Sequence, residues 1–382
     1  MSEKLNMFSS SDDEDFVCPN SKEALTAAKW NKIGLDLERA GSTADAIEAF
    51  DSGLKIEPDN AILLKNKAGA LSRAGKKSEA SIVYQHAVSL YPEDAELSNG
   101  AGFLLLESGR LKEALPLFEQ SIQADSKFAE PWLGKGLVYG ELGLFEDAVK
   151  AYDHALSLRE NYKEACFGKA VSLAALGNFK DALLMFDKVI DLDPNNADVW
   201  YYKALAYDSI GDGSNALICY GKATDIRPSF DDAWNNKGIL HNALGQFEDA
   251  LICFEQAISI DPEQADVWFN KGYTCAVLGD LDDAVNAYKE AISIDPNFNA
   301  AYMEAAFTYT QMGFVFDALD LYAKAIEQNP TGEAYFGQAV CLEAIGESDR
   351  AKESFEKAFE LDPQYKEIFE SQKTAQNQNE WN

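Results

Sequence analysis

The chain has 382 residues, of which 47% are hydrophobic and 12% aromatic, enough apolar material to bury a core along most of its length and too much for a disordered protein. Sixty-four acidic residues against 33 basic ones leave a net charge of −31, which argues against a nucleic-acid or anionic-membrane partner because phosphate binding needs a positive footprint. The charge fits a mutually repelling, solvated surface, or an acidic groove for a basic partner.

The N-terminal stretch MSEKLNMFSSSDDEDFVCPN has neither a basic n-region nor an apolar h-region, so no secretory signal is expected. Residues 1–20 read as a disordered acidic segment. No stretch reaches membrane-spanning length. The six cysteines include no C-x-x-C pair, and Cys219 and Cys253 stand 34 residues apart. Reduced thiols in a cytoplasmic protein are the reading. The histidines His86, His154 and His241 are too scattered for a zinc site, and no metal or cofactor is expected. His241 falls on a buried helix face and reads as a satisfied core residue.

From Ala27 onward the chain repeats itself every 34 residues. Repeat one (27–60) sets the frame, with Trp30 at position 4, Gly34 at 8, Gly41 at 15, Ala46 at 20, Phe50 at 24 and Pro58 at 32. Positions 4, 8 and 11 share one helical face, as do 20, 24 and 27, so each repeat predicts two antiparallel helices. Small residues at 8 and 20 allow close approach, and the aromatic at 24 fills the remaining space. Glycine at 15 ends the first helix and proline at 32 ends the second. Repeat two (61–94) keeps the pattern. Repeat three (95–128) departs, with Ser98 at 4, Ser126 at 32 and Pro116 early in its second helix. Repeat four (129–162) has Glu160 at 32, and repeat five (163–196) has Cys166 at 4. Repeats six and seven (197–230, 231–264) carry Trp200 and Trp234 at 4, and repeat eight (265–298) is the best copy, with Trp268, Gly272, Gly279, Ala284, Tyr288, Ala291 and Pro296. Repeat nine covers 299–331, and repeat ten (332–365) begins one residue early, at Gly332. The array occupies residues 21–365, and 366–382 read as a capping helix with a frayed tail.

These columns resemble the tetratricopeptide repeat, in the style of multi-repeat prokaryotic-type scaffolds, over about residues 27–365. The resemblance implies an all-α fold, a right-handed α-α superhelix of about ten helix-turn-helix units. Some members carry a glycosyltransferase domain beyond their repeats. A repeat region lacking that catalytic domain is the distant alternative for this chain. No nucleotide-binding, hydrolase or metalloprotease motif interrupts the repeats, so an enzyme is not expected.

Positions 2, 6, 9 and 13 of the first helix form one stripe, with 5 and 12 at its edge. The resemblance makes this stripe the lining of a concave groove for peptides. The predicted groove residues are Asp198, Asp232 and Asp266 at position 2, Asn235 and Phe269 at 5, and Tyr202, Asn236 and Asn270 at 6. Lys65 and Asn66 in repeat two complete the set. The acids serve either the helix dipole or a selecting acidic ladder. The amides serve either packing between first helices or a grip on partner backbone. Co-chaperone members of the family clamp a C-terminal carboxylate with lysine at 5, asparagine at 9 and 6, and then lysine at 2 and arginine at 6. Lys65 and Asn66 match, but Leu35, Gly69, Glu96 and Gly100 do not, so that clamp is not reproduced.

Asn31, Lys32, Arg39, Lys65, Asn66 and Arg73 form a basic start to the stripe. The acidic run Asp12 to Asp15 is tethered about a dozen residues ahead of Trp30, within reach for weak self-occlusion or simply a solvated tail. Lysines recur at position 7, including Lys67, Lys135, Lys169, Lys203, Lys237 and Lys271. They are expected to meet acids ending the preceding second helix, such as Asp193, Asp261 and Asp295, in a structural role. The functional reading is a non-catalytic scaffold binding protein or peptide segments, with no nucleic acid and no membrane. The alternative is an assembly factor or regulatory subunit dedicated to one enzyme or complex. The sequence leaves the oligomeric state open.

Overall fold

The structure, a computed structural model, describes residues 25–379. The acidic segment 1–20, with its self-occlusion reading, lies outside the described residues. Twenty-one helices and no strand are found among the described residues. They divide into two compact blocks, one through Leu192 and one from Asp193.

The first block holds α1(Ala27–Arg39), α2(Thr43–Leu54), α3(Ala61–Arg73), α4(Lys77–Leu90), α5(Ala95–Glu107), α6(Leu111–Ala124), α7(Glu130–Glu141), α8(Phe145–Leu158), α9(Lys163–Ala175) and α10(Phe179–Leu192). The second holds α11(Ala197–Ser209), α12(Gly213–Ile226), α13(Asp231–Ala243), α14(Phe247–Ile260), α15(Ala265–Leu278), α16(Leu281–Ile294), α17(Asn299–Met312), α18(Val315–Gln328), α19(Gly332–Ala344), α20(Ser348–Leu361) and α21(Gln364–Asn379). Each block is a stack of helix pairs in which every helix packs on its sequence neighbours.

The cause of each pair lies in a few columns. Gly279, at φ 88°, turns the chain out of α15 in the left-handed region, and a glycine does the same in every repeat. Thr26, Asn60, Asp94, Asn196 and Thr331 cap first helices through side-chain acceptors. Ala284 and Tyr288 are fully buried, and a Cβ at Gly272 would lie 2.7 Å from the Tyr288 ring. In this repeat the Tyr288 ring occupies the space that a side chain at Gly272 would need. The Trp268 indole is half-buried and donates to the Pro262 carbonyl at 2.9 Å, as Trp200 and Trp234 donate to Pro194 and Pro228. Position 4 therefore ties the first helix to the preceding turn, while position 24 supplies the core.

The lysine column points at the preceding second helix, but not at its last turn. Lys67 pairs with Asp51 (2.6 Å), Lys135 with Glu119 (3.1 Å), Lys169 with Asp153 (2.6 Å) and Lys271 with Glu255 (3.2 Å). All four acids occupy position 25, at mid-helix. Two antiparallel helices joined by a short turn place their middles opposite each other, which is why the terminal acids are not chosen. Asp261 and Asp295 instead accept backbone N–H groups of Glu263 (3.0 Å) and Asn297 (2.9 Å), closing the turns between repeats. For Lys237 of repeat seven the matching position in repeat six is Gly221, and Lys237 lies over the Trp234 ring at 5.0 Å.

Candidate interaction groove

Within each block, first helices of successive repeats touch one another, as α13, α15, α17 and α19 do. Second helices show no comparable contact. The first helices thus line the inner face, where neighbouring repeats converge.

Positions 5 and 6 form amide rungs across this face. Asn66 donates to Asn31 (2.8 Å), Asn236 to the Tyr201 hydroxyl (2.9 Å), and Asn270 to Asn235 (3.2 Å). Each rung joins position 6 to position 5 of the preceding repeat. One N–H of each donor is spent; the second N–H and the side-chain carbonyl of Asn236 and Asn270 keep their capacity. Phe269 is half-buried, its ring 5.0 Å from Phe298 and 5.7 Å from Tyr288, so it belongs to the packing beneath the face. Tyr202 is 37% exposed and stands edge-on to Tyr201 at 5.5 Å.

The acids at position 2 separate into two groups. Asp198 takes both nitrogens of Arg227, at 3.0 and 2.6 Å. Glu130 pairs with Arg159, and Glu96 with Lys65. Asp232 and Asp266 are exposed and make no ion pair among the described residues. Partial burial, then the neighbouring Asp231 carboxylate, pushes Asp232 up from the ordinary aspartate value. The basic start of the stripe is largely neutralised: Arg39 meets Asp36 (3.0 Å), Arg73 meets Glu38, and Lys65 is held by Glu96. Lys65 and Asn66 are therefore committed to neighbouring repeats.

Two features escaped the sequence reading. Glu304 stands at position 6 of repeat nine, the one carboxylate in a column otherwise of lysine, asparagine, glycine and tyrosine. That singularity was the available signal. The second is the floor of the face. A Cβ at Gly168 would lie 2.6 Å from the Tyr152 hydroxyl, and one at Gly337 equally close to that of Tyr322. Position-24 hydroxyls thus reach the inner face directly under position 6.

His241 is half-buried, with Nδ1 2.7 Å from Gln246 Oε1. The described cysteines, Cys166, Cys219, Cys253, Cys275 and Cys341, are buried and form no disulfide. Burial pushes the Cys253 thiol up to about 11, so it stays protonated. Among the described residues no cluster of three His, Cys, Asp or Glu side chains could hold a metal ion, and no helix is long and apolar enough to cross a membrane.

No curated protein matches the chain. Among solved structures it is similar to a tetratricopeptide repeat protein from Parabacteroides merdae, at 22% identity and a TM-score of 0.51, over 65% of this chain and 98% of that one. It is also similar to YrrB, described as a TPR protein with an unusual peptide-binding site, at 24% identity and TM-score 0.42, over 48% of this chain and 95% of that one. MamA from Desulfovibrio magneticus RS-1 aligns at 24% identity and TM-score 0.42, over 44% and 96% of the two chains. Family models of the tetratricopeptide repeat match residues 31–95, 73–129, 99–165, 133–197, 185–214, 231–264, 265–298 and 332–365. With its helix pairs, glycine turns and buried position-24 aromatics, the chain belongs to the tetratricopeptide repeat family.

Proposed function

We propose that the chain is a non-catalytic interaction scaffold, and that the first-helix face of the block from Asp193 takes an extended or helical segment of a partner protein. Family membership supports the scaffold role. The observation that carries the choice of face is the exposure of Tyr202 (37%), Tyr273 (47%) and Phe307 (52%) on first helices, beside amides with unspent hydrogen-bonding capacity. Large apolar rings held in water beside unused donors and acceptors suit a chain that supplies both side chains and backbone. Asp232, Asp266, Asn235, Asn236 and Asn270 would then read backbone and charge, and buried protonated thiols suit a reducing, cytoplasmic setting.

The test is affinity capture with the full chain, comparing Tyr202→Ala and Asn236→Ala with Ile218→Ser and Ile252→Ser on the exposed face of second helices. We expect the first pair to lose the captured proteins by about tenfold, with helicity retained, and the second pair to keep them. The reverse result would place the binding surface on the second helices.

A further inference from the structure

The carboxylates of the inner face are not alike. In repeats three, four and six, the position-2 acid has a cation: Lys65 for Glu96, Arg159 for Glu130, Arg227 for Asp198. Arg159 and Arg227 both come from position 31 of the same repeat. In repeat ten that position is Asp362, and Glu333 has no cation among the described residues. Beside Glu333 lies Glu304, half-buried on α17, and its carboxylate makes no hydrogen bond or ion pair among the described residues. Burial first, and Glu333 second, push Glu304 up from its ordinary value, and no positive group offsets them.

An independent feature lies beneath. Tyr288 is fully buried, and its hydroxyl has no hydrogen-bond partner among the described residues. Position-24 hydroxyls sit under position 6 of the next repeat, as Tyr152 and Tyr322 do under Gly168 and Gly337. For Tyr288 that next residue is Glu304, whose charge acts on the phenol more strongly than any other. By that register an unspent buried donor belongs beneath the position that carries an unpaired carboxylate. Phe307, three residues along α17 on the same helical face, is 52% exposed.

We propose that Glu304 and Glu333 form a cation-accepting slot for a lysine or arginine side chain of the partner segment, with the alkyl stem of that side chain lying on the Phe307 ring. The slot rests on the groove reading above and specifies its chemistry at repeats nine and ten. Glu304 on α17 and Glu333 on α19 stand on first helices that touch, and Glu333 is the charge that acts on Glu304; a pair of carboxylates suits a guanidinium or ammonium group. Phe307 adds apolar contact and a π face for the cation. The entering cation offsets the repulsion between the two acids. Asp232 and Asp266, both unpaired, continue the negative charge along repeats seven and eight, so the partner segment should be basic over several residues.

The experiment selects a random-peptide display library on the full-length protein and on Glu304→Gln and Glu333→Gln variants, then measures affinities of selected peptides by fluorescence polarisation. The expected result is enrichment of lysine or arginine at one register on the native protein. That enrichment should vanish on Glu304→Gln, with about tenfold weaker binding of the selected peptides. Glutamine keeps the size and removes the charge that burial disfavours, so the Glu304→Gln protein should melt no lower than the native one near neutral pH. Peptides that bind competitively at the Tyr202 and Asn236 surface without basic enrichment would overturn the slot and leave the groove intact. Peptides whose binding ignores Tyr202→Ala and Asn236→Ala would overturn the groove reading and the slot with it.

Discussion

Tryptophan and tyrosine divide the work of a repeat unequally. Trp268 looks like the anchor because it is the largest residue in its repeat, yet it is half-buried and its indole N–H is spent on the Pro262 carbonyl. Tyr288 is fully buried among α15, α16 and α17, with hydrogen at Gly272 against its ring. Losing a fully buried aromatic removes transfer energy and leaves a cavity, a cost of about 3–5 kcal/mol. Losing a half-buried one removes part of the first term and little of the second. Tyr288→Ala should therefore destabilise by about 3–5 kcal/mol. Trp268→Ala should cost less than Tyr288→Ala, and urea melts of the two variants decide the order. Tyr288→Phe offers a gentler comparison, because the hydroxyl it removes has no hydrogen-bond partner among the described residues and its loss strands no other group there.

At the scale of elements, repeat three shows what happens when the columns lapse. Ser98 replaces the usual anchor, fully buried with its hydroxyl unpartnered. Asn99 has a buried side-chain oxygen without a donor, because position 6 of the next repeat is Gly134 and offers no amide. Ala101 occupies the lysine column, and α6 carries Pro116, which removes one helical N–H. A cavity of about 390 Å³ opens there, its floor made by Tyr84, Val88, Leu104 and Leu117 and its rim by the Arg110–Glu113 ion pair. Ala101→Leu should fill part of this space and stabilise the block through Leu192 by about 0.5–2 kcal/mol. A lower melting temperature for that variant would mean that the cleft cannot accept the added carbons. The helices themselves were legible in the sequence, because glycine at 15 and proline at 32 act through local backbone chemistry. The partner of Lys271 was not. Choosing Glu255 over Asp261 depends on how far two helices slide past each other, which no single column encodes. The exposed face of the first helices was legible as a stripe, since Tyr202 is exposed, and Asp266 exposed and without an ion pair among the described residues, where helical spacing put them. Glu304 was passed over because its meaning comes from Tyr288 below and Glu333 beside it, two neighbours brought in from other helices.

For the molecule as a whole, the excess of 64 acids over 33 bases sets the response to salt. The ion pairs between repeats are mostly solvent-facing: in the Lys271–Glu255 pair the side chains are 23% and 58% exposed. Such pairs contribute about 0–1 kcal/mol each, and salt weakens them. Salt also screens the repulsion among the 31 uncompensated negative charges, which opposes folding throughout the chain. With roughly twice as many acids as bases, the second effect should win, so raising ionic strength from about 0.02 M to about 0.2 M, which cuts the Debye length about threefold, should raise the melting temperature. Partner binding should respond in the opposite direction. A cation between Glu304 and Glu333 gains from unscreened attraction, so the same salt should weaken a basic peptide. Thermal melts and peptide titrations across one salt series therefore separate two roles of the same negative charge. A melting temperature that falls with salt would mean that the exposed pairs, not the net repulsion, govern the stability of the repeats.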